Sequence, residues 1–478
     1  MIPNLEEKIV SDWINDLFAR QQQYLPTLRT EPVSNRKARL KKLKQWVLLH
    51  RPAIQRAIYA DFKKPSAEVD GTEIFPVVDE IAHALTNLNR WTTPRKVDAP
   101  ITMLGTRSYV LAEPKGACLI IAPWNYPFNL CVGPLVSALA AGNSVIIKPS
   151  EITSNTSALI KKMCDDLFED RVVAVCEGGV EVSQCLLKLP FNHIFFTGSP
   201  TIGKVVMKAA AENLASVTLE LGGKSPTIVT PSANLKDAAK RIAVAKFINN
   251  GQTCIAPDYV LIHESVKEKL IERLKEEIKT LFLEGDQPLE QSAHYARIVN
   301  EKHVERLSNM LEELVEKGAQ LHVGGTVNIA DRFIHPVIVS DVPAEAQAMK
   351  EEIFGPILPV LTYSKPEEVI REINSRPKPL ALYIFGSNRK ERDRILKETS
   401  AGSVCINDCA VQFLHHNIPF GGVNNSGIGK SHGYAGFLAF SNEKPVLHQR
   451  SGLTSISPLY PPYTKRVNMI MDWLLKFI

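Results

Sequence analysis

Cysteine is scarce and scattered in this chain. The eight cysteines stand at positions 118, 131, 164, 176, 185, 254, 405 and 409, with no CxxC pair. Cys405 and Cys409 are four apart, but no second pair with zinc spacing accompanies them, so no metal site is expected. The scatter also excludes a disulfide framework, because 478 residues suffice for two or three domains with cores of their own. The thiols read as reduced, in a reducing, cytoplasmic compartment. One-signed charge is lacking too: 56 Lys and Arg oppose 51 Asp and Glu. The small excess is dispersed, which excludes the basic stripe that nucleic acid requires. Its densest cluster is Arg36, Lys37, Arg39, Lys41, Lys42 and Lys44. These alternate with Ala38, Leu40 and Leu43 at helical spacing and are expected to form a solvated helix face. No apolar run approaches the ~18–20 residues that cross a bilayer, and residues 1–14 carry no signal-peptide core.

What is present is a change of pattern along the chain. Residues 4–90 read as helices, with Leu40, Leu43 and Val47 on one face and Ile54 and Ile58 on another. The stretch 91–114 is broken by Pro94, Pro100 and Pro114 and carries an extended segment over 107–112. From 115, short β-branched runs at 117–122, 144–148, 172–176, 193–197 and 217–221 alternate with helical segments at 130–141, 154–168, 182–189 and 201–213. Continuous apolar strands are those of a parallel sheet buried on both faces. Repeated βα units predict an α/β, doubly wound sheet whose ligand lies off the carboxyl ends of its strands. A second α/β region follows over 224–415. Strands are expected at 259–263, 333–340, 357–362 and 381–386, and helices along the Val266–Leu270–Leu274–Ile278–Leu281 stripe and over 297–317.

Three stretches carry chemistry. In Asn249-Asn250-Gly251-Gln252-Thr253-Cys254, the thiol follows a turn and is the candidate nucleophile. A helix N-terminus or nearby dipoles are expected to lower its pKa. Glu220, in Leu219-Glu220-Leu221-Gly222-Gly223-Lys224, is the candidate base for hydrolysing a thioester. Asn125, held between prolines in Pro123-Trp124-Asn125-Tyr126-Pro127, is the candidate donor to a tetrahedral oxyanion. The other seven cysteines read as small buried apolar residues.

For a cofactor, Thr197-Gly198-Ser199-Pro200-Thr201-Ile202-Gly203 closes a strand and opens a helix. Gly198 is expected to serve a tight turn and Gly203 close helix–strand packing. The helix N-terminus beyond Ser199 would face a pyrophosphate. Lys148 and Glu151, at the end of an earlier strand, suit two ribose hydroxyls. A carboxylate there repels a 2′-phosphate and Lys148 nearby softens that repulsion, so NAD⁺ is expected to be preferred and NADP⁺ tolerated. Gly198 to Lys204 also fits GxxxxGK, but Val205 offers no hydroxyl to Mg²⁺ and the ATPase reading falls.

Together these motifs, with Glu351-Glu352-Ile353-Phe354-Gly355-Pro356, resemble the NAD(P)-dependent aldehyde dehydrogenase superfamily, in its order and at similar spacing. The resemblance spans about residues 30 to 450. It implies a cofactor domain over 1–92 and 115–222, a catalytic domain over 223–418, and a small strand-built oligomerisation domain from 93–114 and 419–450. It implies Cys254 as nucleophile, Glu220 as base and Asn125 at the oxyanion. Lys148 and Glu151 would hold the adenosine ribose, and Glu352 and Phe354 the nicotinamide ribose and ring. Asn407-Asp408 and the Pro419-to-Gly433 segment resemble the class 3 branch of fatty, aromatic and coniferyl aldehyde dehydrogenases. That branch implies a homodimer and an apolar aliphatic or aromatic aldehyde. Gln412 departs from the histidine of many members, and Tyr126, Leu130, Gln412 and Phe413 are the candidate pocket residues. The tail, 451–478, resembles the end of fatty aldehyde dehydrogenases, where a helix gates the substrate tunnel. Packing on the body or covering a pocket is favoured over peripheral membrane contact, since the tail lacks a dense basic face. Two other functions compete: a coenzyme A-acylating dehydrogenase, against which Glu220 argues, and a non-catalytic dinucleotide-binding protein, against which all three reactive residues argue.

Overall fold

The structure, a computed structural model, describes residues 5–283 and 285–477. Its first sheet has six strands in the spatial order Gly427–Ile428, Ser216–Leu221, His193–Gly198, Ala117–Ile121, Ser144–Lys148 and Val173–Val175. All pair in parallel except the short Gly427–Ile428, which runs antiparallel to Ser216–Leu221. Side chains alternate along each strand, so each face feeds its own core. Cys118, Ile120, Val145, Ile147 and Phe195 pack with the helices Val33–Leu49, Arg51–Phe62, Phe75–Thr92 and Asn129–Ala141. Leu119, Ile146, Ile194 and Phe196 pack on the other face with Leu5–Thr30, Val180–Leu187 and Pro200–Glu212. The expected doubly wound architecture is present.

The second sheet has seven strands: Gln320–Val323, Val337–Ser340, Ile357–Tyr363, Tyr259–His263, Pro226–Val229, Ala381–Phe385 and Ser403–Ile406. Only the first is antiparallel to its neighbour. Val260 and Ile262 face helices Leu235–Phe247 and Lys267–Phe282, and Tyr259 and Leu261 face Glu301–Glu316. The strand expected over 333–340 splits. Phe333–Ile334 pairs with Val327–Asn328, and Val337–Ser340 enters the large sheet. Pro336 stands between them and has no N–H to donate to a ladder.

A third sheet is antiparallel and joins distant segments. Ser441–His448 pairs along the full length of Arg107–Pro114, which also pairs with Arg95–Val97.

The basic run of the second helix is only partly a solvated face. Arg36 is buried, and its Nη1 donates to the carbonyls of Ala141 (2.9 Å) and Ala140 (3.4 Å). It thereby satisfies the carboxyl end of the neighbouring helix, a favourable place for a cation. The tail forms a helix, Lys465–Phe477. Val467 is buried, but Met469, Trp473 and Leu475 are 66%, 59% and 72% exposed. The helix does not line the cavities around Cys254 described below. Among the described residues, no helix is long and apolar enough to cross a membrane.

Candidate active site

The first sheet brings its strand ends to one edge. Glu220, Gly198 and Lys148 end three parallel strands, and the chain leaving the fourth at Ile121 reaches Asn125. With strands ~4.8 Å apart, Lys148 lies about 14 Å along the edge from the strand of Glu220. That is a span suited to a ligand lying across the strand ends.

The loop carrying Cys254 is held by amides. After helix Leu235–Phe247, the chain passes through Asn249 (φ +52°), Asn250 (φ +55°) and Gly251 (φ +74°). Asparagine tolerates this left-handed region better than most residues. At Gly251 a Cβ would overlap the Gly355 carbonyl, so glycine is required there. Asn125 Nδ2 donates to the Gln252 carbonyl (3.0 Å), and Asn249 Nδ2 donates to the Asn125 carbonyl (2.9 Å). Gln252 Nε2 donates to the carbonyls of Asn249 (2.9 Å) and Arg297 (3.0 Å), and its Oε1 accepts from Val299 N–H (2.9 Å). Asn125 therefore sits against the Cys254 loop with one amide N–H engaged.

A buried charge cluster braces this loop from below, and it gave no signal in the sequence. Glu68 Oε1 accepts from Asn249 N–H (2.8 Å). Glu73 Oε2 accepts from the N–H groups of Phe128 (3.2 Å) and Asn129 (2.9 Å), and its Oε1 receives fully buried Lys64 at 3.1 Å. Lys64 also lies over the Tyr126 ring, 4.5 Å from its centroid, and Tyr126 OH meets Thr253 Oγ1 at 2.7 Å. Lys64, Glu68 and Glu73 occur in a helical stretch where charged residues read as solvent-facing.

Cys254 is half-buried, and the expected lowering of its pKa does not occur. Burial pushes the thiol up, and the carboxyls of Glu352 and Glu220 add to that shift. The physical reason is local: Cys254 lies in a turn, so no helix N-terminus points at it. Only the N–H groups of Cys254 and Ile255 favour the thiolate.

Glu220 is buried. Its Oε1 accepts from Ser431 Oγ at 2.9 Å, and its Oε2 has no hydrogen-bond partner. Burial raises the carboxyl to about 8, with Ser431 and Lys430 acting in the opposite direction. A buried carboxyl near neutrality with a free oxygen is suited to proton transfer.

The cofactor candidates divide. Ser199 caps helix Pro200–Glu212, its Oγ accepting from Ile202 N–H at 3.4 Å. A Cβ on Gly203 would lie 2.7 Å from Leu221 Cδ2, the close helix–strand packing expected. Gly198 is not in the left-handed region; a Cβ there would meet the Phe196 ring at 2.5 Å, so clearance and not turning is its role. Lys148 is buried and its Nζ meets Glu151 Oε2 at 2.5 Å, while Glu151 remains exposed. Glu352 crowds Gly222, where a Cβ would overlap its carboxylate, and accepts from Gly223 N–H. Burial and Asp258 raise Glu352 to about 8, against Lys224 and Lys246. Phe354 takes φ +48°, strained for a bulky residue, and its ring stands edge-on to Trp124 at 5.2 Å. The residues fit a dinucleotide: a capped 13-residue helix start, a lysine–carboxylate pair, and a glycine cradle beside a buried carboxyl.

Two cavities reach Cys254. One, of about 210 Å³, is walled by Tyr126, Leu130, Val244, Ile248, Phe413 and Leu414. The other, of about 70 Å³, joins Cys254 to Glu220 and Ser431. Tyr126, Leu130 and Phe413 thus line the pocket as expected. Gln412 does not: it is buried with its Nε2 toward Tyr383 OH (3.3 Å) and Ser403 Oγ (3.4 Å). Among the described residues, no group of three or more His, Cys, Asp or Glu could hold a metal ion.

A thiol and a buried carboxyl thus share one cavity at the edge of a doubly wound sheet. The chain belongs to the aldehyde dehydrogenase family, whose model matches residues 9–446. It is 42% identical to 4,4'-diaponeurosporen-aldehyde dehydrogenase of Staphylococcus aureus (strain NCTC 8325 / PS 47), over 96% of this chain and 98% of that one. It is 39% identical to Aldehyde dehydrogenase family 3 member A2 of Pongo abelii, over 95% and 92%. The solved substrate-bound state of Staphylococcus aureus AldH superposes with a TM-score of 0.92 at 41% identity, covering 96% and 99%. The expected class 3 kinship, fold and enzyme class, an NAD(P)⁺-dependent aldehyde dehydrogenase, are thus established.

Proposed function

We propose that this enzyme oxidises apolar aldehydes to carboxylic acids by hydrolytic thioester chemistry, with Cys254 as nucleophile, Glu220 as base and Asn125 as oxyanion donor. The observation that carries the reading is the pairing of the Cys254 thiol with the Glu220 carboxyl, one oxygen unpartnered, on one cavity. Glu220 takes the Cys254 thiol proton as the sulfur attacks the carbonyl carbon, and the resulting oxyanion takes the second N–H of the Asn125 amide. A bound nicotinamide supplies the hydride acceptor that turns the thiohemiacetal into a thioester. Glu220 then draws a proton from water as its oxygen attacks the acyl carbon, and the C–S bond breaks.

The predominantly apolar 210 Å³ cavity supports an aliphatic or aromatic substrate. Glu151, exposed beside Lys148, supports NAD⁺ as the preferred form with NADP⁺ tolerated. Lys148, Glu151, Ser199, Gly198 and Gly203 hold the dinucleotide's phosphate and ribose end in this reading, and Glu352 and Phe354 its nicotinamide end. The three-stranded sheet, whose Arg95–Val97 strand is fully exposed, is the proposed contact between two copies in a cytoplasmic homodimer. The domain boundaries proposed from the resemblance follow the same division of labour.

The test is NADH formation at 340 nm without coenzyme A, using hexanal, dodecanal, benzaldehyde and cinnamaldehyde. Wild type is expected to turn over and Cys254→Ser to be inactive. Equal activity of the two, or activity that needs coenzyme A, overturns the reading.

A further inference from the structure

The cavity shared by Cys254 and Glu220 ends at two imidazoles. His416 and His432 line it on one side and line a second cavity, of about 740 Å³, on the other. The second cavity is also bounded by His83, Arg90 and Arg95. His432 directly follows Ser431, the hydroxyl partner of Glu220. The next residue, Gly433, donates its N–H to Glu80 Oε1 at 2.7 Å, and Glu80 lines the first cavity. His416 Nδ1 meets Asp79 Oδ2 at 2.9 Å, and its ring lies 4.0 Å from that of His83. Asp79, Glu80 and His83 share one face of helix Phe75–Thr92, so a single helix face meets both imidazoles and the reaction cavity.

Turnover gives this arrangement a task. Each turnover places the Cys254 thiol proton on Glu220, and Glu220 must lose it before it can draw a proton from water; the proton drawn from water then returns to the departing thiolate. Its carboxyl is buried, so the proton needs carriers.

We propose that His416 and His83, backed by Asp79 and Glu80, form the exit by which the proton collected at Glu220 reaches the second cavity and solvent. The proposal rests on the hydrolytic reading of Cys254 and Glu220. The proton leaves Glu220 by the Ser431 hydroxyl and by water, for which a cavity of about 70 Å³ has room. Glu80 or His416 takes it up, and His83 passes it to the outer cavity. One proton moves at each step, and each carrier returns to its starting state.

The surrounding charges suit the route. Burial and the neighbouring His416 lower both His83 and His432, and at His83 Asp79 acts in the opposite direction to Arg90. Arg95 is drawn off by Glu443 at 3.4 Å, and Lys430 acts on the Glu220 side. Burial raises Glu80 to about 7.

His416→Gln and Asp79→Asn test this as relay residues that act through Glu220. Each variant is expected to keep a stoichiometric burst of NADH but to lose at least about tenfold in steady-state turnover. Added imidazole is expected to restore turnover in proportion to its concentration, with no effect on wild type. Unchanged turnover in both variants, or equal loss of burst and steady state without imidazole rescue, overturns the exit route. A wild type that makes no NADH without coenzyme A fails the hydrolytic reading itself, a separate result.

Discussion

At the scale of single residues, Glu220 sets a conflict between activity and stability. Its carboxyl is raised to about 8 in the fold, against about 4.3 in an unfolded chain. The unfolded chain therefore sheds this proton first as pH rises. Stability attributable to the site is full below about pH 4 and is lost as pH climbs to about 8. The carboxylate needed as base gains over the same interval. Deacylation is expected to rise with pH and level off above about 8, and Glu220→Gln to abolish the rise and cut turnover by about 10²-fold or more. The same variant is expected to melt at a higher temperature than wild type at pH 8. A pH–rate profile and thermal melts at pH 6 and pH 8 check both; a lower melting temperature at pH 8 would refute the conflict. Cys254, Glu220 and Asn125 were legible because reactive side chains lie in short motifs of turn residues. Glu68, Glu73 and Lys64 were not, since only the fold turns these charged residues inward against the Cys254 loop.

Among elements, the longer apolar strands were legible, whereas Pro226–Val229, Gln320–Val323 and Ser403–Ile406 of the second sheet and several of its helices were not. A strand buried on both faces must be apolar throughout, and Ser144–Lys148 and Tyr259–His263 fall where their composition put them. Arg389–Glu398 gave no such signal: Ile395 is its only buried residue, and the rest is charged or polar surface. Arg36 hid for a related reason, because a cation that caps a neighbouring helix looks like any other in a basic run. The element that matters most for the chemistry is the turn Ile248–Gly251. Gly251→Ala would force a Cβ onto the Gly355 carbonyl at φ +74°. Relief of that clash must move either the thiol loop or the segment bearing Glu352 and Phe354. The expected outcome is a loss of about 1–3 kcal/mol in stability together with a fall in kcat larger than any change in KM. Denaturant unfolding and steady-state kinetics measure both. A variant with wild-type kcat would show that the turn does not set the thiol's position.

For the whole molecule, the two α/β layers meet at the cavity beside Cys254, and a long substrate must be covered at its outer end. The 210 Å³ cavity is formed by residues from both layers, from Tyr126 to Leu414. It is too small to enclose a long chain, so such a substrate must extend toward solvent or beneath another element. The tail helix Lys465–Phe477 presents Met469, Trp473 and Leu475 outward and does not line this cavity within one copy of the chain. The exposed Met469 and Leu475 suit a surface contributed by a second copy, consistent with the proposed dimer. If the tail caps the partner's pocket, its removal uncovers the outer end of a long substrate and leaves a short one untouched. Deleting residues 465–478 is therefore expected to raise KM for dodecanal severalfold while leaving hexanal unchanged. Size-exclusion chromatography of the same variant separates gating from assembly. A dimer with an altered chain-length profile supports a gate. An unaltered profile assigns the tail to packing or to contact with another surface, and the substrate's outer end to solvent.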